Sequence, residues 1–390
     1  MTTKPRSLAT PIVAGVVCAL VAFTSSFVVV LTGLRGAGAT DAQAASGLLT
    51  LTALMGVATI VLSVRTRMPI TVAWSTPGAA LLVSAGAVAG GWPAAVGAFV
   101  VAGGLYVLTG LWPQLADLIR RIPTPIAQAM LAGVVLKLVL APLPALVDHP
   151  ASILPVIAVW LACLRWVPRW AVPLAFVAAA VVIAVQLVRD GTTIDAGALV
   201  PALDVTRPTF TAEAVVGIAL PLFLVTMASQ NVPGVAVLDS FGFRAPWRAS
   251  MLVAGSGTIV GAATGGFTLN LAAISAALAA GPGAGAHERR WIAGVTTGAV
   301  YVLLAAAVPA AAELIVVAPD GVVAAVAAVA LLPTLGASLA GATRDTSFQL
   351  PATITFAVAA SGIAPWNVSS AFWALLAGIG THLALTTDRR

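Results

Sequence analysis

The residues of this sequence best able to do chemistry are uncharged and lie in two interrupted apolar segments. The first reads MPITVAWSTPGAALLVSAG over residues 68–86. Ser75-Thr76-Pro77 is a helix start, a hydroxyl cap followed by proline in the first turn. The segment is expected to be extended over 70–75 and helical over 76–88. The second reads GAATGGFTLNLAAISAALAAG over 261–281. Gly265-Gly266 breaks a preceding helix, and Thr268 is expected to cap a half-helix running from Leu269 to Ala280. In both, an aromatic residue precedes a hydroxyl residue: Trp74-Ser75 and Phe267-Thr268. A helix start presents unsatisfied N–H groups and partial positive charge, so a pair of them can hold a carboxylate or other anion without a cation.

Further polar side chains lie in neighbouring apolar runs. Ser25 and Ser26 precede Phe27 in the first run, while Gln230 and Asn231 fall in TMASQNVPG, and Asn270 follows Thr268. An amide in an apolar run is costly unless it faces protein, water or ligand. A structural role is open for each: kinks at Gly and Pro are common in membrane helices, and amides bond helix to helix. Ionisable residues are few. Glu213, Glu313, Asp239 and His382 are candidates for carrying a proton, and each can equally be a structural partner. Lys137, in GVVLKLVLAP, is either functional or snorkels to an interface. Cys18 and Cys163 lie in apolar runs with no Cys or His at ligand spacing, so neither a disulfide nor a zinc site is expected. No nucleophile elbow, phosphate loop or metal cluster is present, so no enzyme, cofactor or metal is expected.

The elements that must position these residues follow from composition. The chain has 390 residues, 60% hydrophobic and 8% charged. That leaves no polar skin for a soluble domain. Apolar runs of helix length exclude a β-barrel, and what remains is an all-α polytopic membrane protein. The net charge of +6 is spread in pairs along the chain rather than massed, which argues against nucleic acid. The run from Leu8 to Leu34 is too long for a signal peptide and reads as a retained span.

A hydropathy walk places spans near 10–34, 44–64, 70–88, 92–116, 123–143, 150–165 and 169–188. After a polar segment, 189–212, come 213–238, 247–263, 264–280, 287–312, 320–340, 347–361 and 366–385. With the N-terminus inside, alternation puts 15 of the 19 Lys and Arg inside and only Arg35, Arg189 and Arg207 outside, Lys137 being within a span. This asymmetry favours 14 crossings with both termini cytoplasmic. Trp92, Trp112, Trp166, Trp170, Trp247, Trp291 and Trp366 fall at predicted span ends, as an interfacial belt should. Seven is odd, so the second seven spans run inverted to the first, an architecture whose substrate site lies where the broken helices meet.

AWSTPGAALL, ATGGFTLNLAAISAAL and MASQNVPGVAVLDSFGF together resemble the bacterial benzoate:proton symporters (BenE type), a family related to the uracil/xanthine and sulfate permeases, and the similarity spans the chain. The resemblance implies a 7+7 inverted repeat with spans 3 and 10 broken. It implies a core domain from 1–120 and 213–314, a gate domain from 121–190 and 315–390, and a linker over 191–212. Benzoate or a close aromatic carboxylate would bind between spans 1, 3, 8 and 10 and be imported with a proton across a bacterial inner membrane, by an elevator-like motion, with a homodimer as a further expectation. The related permeases carry carboxylates where this chain has Gln230 and Leu269-Asn270, which leaves the proton-coupling residue open. Phe27, Trp74, Phe223 and Phe267 are the expected apolar wall for the ring. The alternatives are an uncoupled permease, an exchanger or a channel for another organic or inorganic anion.

Overall fold

An apolar chain in hydrocarbon must satisfy its backbone polar groups internally, and the fold is organised around the two places where helix alone cannot do so. The computed structural model describes residues 8–112, 114–115, 123–191, 200–363, 365 and 368–387. Lys4, Arg6, Arg120, Arg121, Asp195, Trp366, Arg389 and Arg390 lie outside the described residues.

The first part of the chain forms α1 (Ala9–Thr24), α2 (Phe27–Gly36), α3 (Asp41–Thr66), strand β1 (Val72–Trp74), α4 (Thr76–Ala85), α5 (Gly91–Leu111), α6 (Thr124–Leu140), α7 (Leu143–Asp148), α8 (Pro150–Trp166) and α9 (Ala171–Asp190). The second forms α10 (Ala212–Ser240), α11 (Trp247–Ala262), strand β2 (Leu269–Leu271), α12 (Ala273–Ala280), α13 (Arg290–Ala305), α14 (Val308–Val316), α15 (Val322–Thr343), α16 (Gln349–Ser361) and α17 (Ser370–Thr387). Among the described residues, seven helical stretches are long and apolar enough to cross a membrane, or eight if the α13–α14 pair, bent by 55°, is one span. α4, α8 and α17 are shorter apolar helices.

The structure corrects the expected elements in three places. The first run is not one helix: it breaks at Ser25-Ser26, where Ser26 takes φ −150° and ψ −1°. The half-helix of the second interrupted segment begins at Ala273, not Leu269, and Thr268 does not cap it. Residues 269–271 are instead needed as strand. The eleventh span bends between Ala305 and Val308, where Pro309 starts a new helix.

β1 and β2 pair antiparallel, with Val72 opposite Leu271, Ala73 opposite Asn270 and Trp74 opposite Leu269. Ser75 N–H donating to Thr268 O (3.1 Å) and Ala272 N–H donating to Thr71 O (3.1 Å) extend the ladder at either end. A two-stranded ribbon has two raw edges, and side chains close them. Thr59 Oγ1 of α3 accepts from Val72 N–H (2.9 Å), Thr258 Oγ1 of α11 from Leu269 N–H (3.0 Å), and Asn231 Oδ1 of α10 from Leu271 N–H (2.9 Å).

Two helix pairs frame the ribbon: α3 with α13, and α5 with α11. Both rest on glycine. A Cβ on Gly298 would lie 2.5 Å from the Gly56 carbonyl oxygen, and one on Gly255 would lie 2.7 Å from that of Gly103. Backbone contact this close is how small residues join membrane helices. The spacing repeats: Gly56 and Gly255 each precede by three the threonine that holds a strand (Thr59, Thr258), and Gly103 and Gly298 each precede by three a fully buried tyrosine (Tyr106, Tyr301). Elsewhere, α6 packs with α15 and α16, α16 with α17, and α8 with α9.

Trp92 departs from the expected interfacial belt. It is buried, donates through Nε1 to Thr206 Oγ1 (3.1 Å) and packs edge-on against Phe99. Trp112 and Trp166 are exposed, as the belt requires.

Candidate functional site

β1 and β2 place the starts of α4 and α12 at opposite ends of the ribbon. Four residue steps of strand lead from Thr71 to Ser75, so the two starts lie roughly 13 Å apart rather than meeting head-on. The midpoint between them is Ala73 opposite Asn270. α4 starts as its sequence dictates: Ser75 Oγ accepts from Gly78 N–H (3.0 Å). The same hydroxyl bonds Thr226 of α10 (2.7 Å), which fixes the helix start against its neighbour. Gly78 is required here, because a Cβ would sit 2.6 Å from Leu222 Cδ1.

The expected site residues separate into three groups. Ser25, Thr76 and Gln230 are half-buried, and Gln230 and Thr76 make no side-chain hydrogen bond among the described residues. The polar atoms of Thr76 and Gln230 are available to a ligand, while Ser25 Oγ donates to Ala22 O (3.0 Å). Ser26, Trp74, Ser75, Asn231 and Asn270 are engaged within the fold. Ser26 Oγ accepts from Trp74 Nε1 (2.8 Å). Asn231 gives its oxygen to Leu271 N–H, and Asn270 Nδ2 donates to Leu271 O (2.9 Å). The Asn270 Oδ1 atom is fully buried and has no hydrogen-bond partner among the described residues. Phe267 and Thr268 form the third group. Phe267 packs on Phe99 (6.2 Å), apart from the other rings. Thr268 is fully buried beside Tyr106, its hydroxyl without a well-formed hydrogen bond.

The rings near Ser26 form one cluster. Phe27 stacks on Phe23 (5.3 Å) and meets Phe176 of α9 edge-on (4.8 Å), and Phe23 tilts against Trp74 (5.6 Å). Phe23 and Phe176 were not among the expected wall residues. Phe23 stands one helical turn before Phe27 and could have been read from that spacing; Phe176 carries no local signal. Phe223 sits apart, tilted against Tyr106 (5.4 Å).

The ionisable candidates are not at the ribbon. Glu213 is in the first turn of α10, Asp239 is exposed at its far end, and Glu313 is on α14. His382 stacks on Phe348 (4.3 Å). Lys137 lies at the C-terminal end of α16, with its Nζ over Gly362 where a side chain would otherwise stand. A cation at a helix C-terminus is favourably placed against the dipole.

Around the ribbon, then, stand half-buried uncharged donors, two helix starts and a wall of stacked rings. Such a surface suits a small anion with an apolar body. A family model described as benzoate membrane transport protein (BenE) matches residues 6–384. The chain belongs to the benzoate membrane transport family. Inner membrane protein YdcO of Escherichia coli (strain K12) is 35% identical over 369 residues, covering 94% of this chain and 93% of that protein. The benzoate membrane transport protein of Acinetobacter baylyi is 27% identical over 386 residues, covering 96% and 94%. Among solved structures, the transmembrane domain of the cyanobacterial bicarbonate transporter BicA superposes with TM-score 0.64 at 17% identity, covering 97% of this chain and 99% of that one. SLC26A9 superposes with TM-score 0.63 at 11% identity, covering 97% and 66%. At such identities the likeness establishes the fold. BenE proteins are membrane transporters, so the chain is a multi-pass transport protein and not an enzyme.

Proposed function

We propose that the chain imports benzoate or a close aromatic carboxylate together with a proton, by motion of a core domain against a gate. The observation that carries this is the ribbon, which sets two helix starts at its ends and carries Trp74 into the cluster of Phe23, Phe27 and Phe176 rings. The substrate's carboxylate would lie near Ala73 and take hydrogen bonds from Thr76, Gln230 and helix-start N–H groups, and its ring would lie against the cluster. Fixed dipoles suit this better than a buried cation, which would need neutralising whenever the site was empty. The names of the A. baylyi relative and of the family support benzoate as the substrate.

The repeated Gly-x-x-Thr and Gly-x-x-Tyr spacings, and the reciprocal pairing of α3 with α13 and α11 with α5, support an inverted repeat of seven and seven spans. The division into core (1–120, 213–314) and gate (121–190, 315–390) is supported by the grouping of α6, α8, α9 and α15–α17. Both termini are proposed to be cytoplasmic in the bacterial inner membrane. With no carboxylate or histidine at the ribbon among the described residues, we assign the proton to the substrate's own carboxyl group. Inward movement of a benzoate anion opposes a negative interior, and the proton removes that cost.

Uptake of labelled benzoate into energised vesicles tests the reading. Uptake driven by an imposed inward proton gradient, and abolished when that gradient is collapsed, is the expected result. Uptake indifferent to the gradient would establish an uncoupled permease instead.

A further inference from the structure

A second recess, distinct from the ribbon, runs along the other end of α12. It encloses about 560 Å³ between the N-terminal half of α1 (Thr10, Val13, Val17), Ala277 and Leu278 of α12, Phe241 after α10, and Arg169 ahead of α9. Its walls are mainly apolar, and Arg169 is the only charged residue lining it among the described residues. Arg169 is exposed and has no carboxylate partner among the described residues. Beyond Ala277 the same face of α12 carries Ile274, 71% exposed, and then half-buried Ala273 at the helix start that follows β2. An apolar recess with one unpaired cation at its edge, on the helix that starts beside the proposed anion site, has the recognition chemistry of an organic anion: walls for a ring and a counter-charge for a carboxylate.

We propose that this recess is a cytoplasmic vestibule subsite for an aromatic carboxylate, with Arg169 as the residue that holds and orients the anion where it leaves the path. The inference rests on the reading of the ribbon as an aromatic-anion site. On the cytoplasmic side of the proposed topology, occupation here holds the anion at the exit of the path, and an exposed arginine can release its ion where a buried one would trap it.

The test uses the full chain in nanodiscs with Ala277→Cys in a Cys163→Ser background, Cys18 being fully buried. Modification rates of the introduced thiol are measured with an anionic and a cationic methanethiosulfonate, with and without benzoate. We expect the anionic reagent to be favoured, benzoate to protect the thiol, and Arg169→Gln to lower both the charge preference and the half-protecting affinity about fivefold. Arg169→Lys should restore the charge preference, which separates loss of charge from loss of fold. An unchanged rate ratio and unchanged protection in Arg169→Gln would overturn the proposal. So would an introduced thiol that benzoate leaves reactive but anionic lipid in the disc protects, since the recess would then hold a lipid. Thermal stabilisation of the unmodified protein by benzoate reads the ribbon site separately. Stabilisation retained without protection of the Ala277→Cys thiol defeats this inference alone, and absence of both defeats the reading of the ribbon as well.

Discussion

Gln230 and Asn231 are adjacent amides with opposite roles. Asn231 closes the outer edge of β2, so Asn231→Leu leaves Leu271 N–H without an acceptor in a buried place. The expected cost is about 1–3 kcal/mol, read as a lower melting temperature of the purified protein without ligand. Gln230→Leu removes a carboxamide that no part of the fold uses, so the melting temperature should hold while stabilisation by benzoate disappears. A Gln230→Leu protein that benzoate still stabilises would remove Gln230 from the site. Lys137→Met should retain benzoate stabilisation, because the ammonium lies at the end of α16 rather than at the ribbon. Which amide faces the ribbon was not legible in the sequence. The stretch Met227–Asn231 is a π-helical turn, and the residue it adds rotates everything after it relative to an ordinary helical wheel. Thr268 misled for a related reason. A hydroxyl before an apolar run reads as a cap, but the ribbon needs residues 268–271 opposite 72–75 before α12 can begin.

At the scale of elements, punctuation was the legible part. Ser-Thr-Pro ahead of α4 and Gly-Gly ahead of β2 mark breaks because proline and glycine act locally, through their own backbone. The break between α1 and α2 is written only in serines, which many intact helices tolerate, and the Ala306-Ala307 bend before α14 has no marker at the bend itself. Pairing across the chain was invisible for a different reason: glycine contacts need two segments, and one sequence shows them only one at a time. These contacts carry a prediction. Gly298→Ala forces a methyl onto the Gly56 carbonyl and should cost about 1–3 kcal/mol in a detergent melt. Gly336→Ala, on α15 where a Cβ would meet nothing within 4 Å, should not lower stability. Equal melting temperatures for the two variants would show that the α3–α13 pair can spread without loss.

For the molecule as a whole, sidedness and pH response follow from the proposed topology and coupling. Val205, 71% exposed in the segment ahead of α10, is expected outside, and Arg67, capping α3, inside. In intact cells an impermeant thiol reagent should label Val205→Cys and spare Arg67→Cys; the reverse pattern would invert the orientation. If the proton rides on the substrate, uptake should rise steadily as external pH falls toward the carboxylic-acid range, about 4. That profile should be unchanged in His382→Gln, since His382 is packed on Phe348 away from the ribbon. A His382→Gln protein with an altered pH profile would reassign the proton to that ring.

The ribbon's sealed edges also bear on how the protein breathes. Val72, Leu269 and Leu271 each give their amide proton to a side chain on a different helix, α3, α11 and α10. None of these protons can meet deuterium unless a strand parts from a helix that is itself packed elsewhere. These amides should therefore outlast most others in a hydrogen-exchange time course, including many in the uninterrupted helices. Ordinarily the shortest strands and broken helices are the quickest to open, whereas here the segment proposed to handle the cargo would be among the last to unfold.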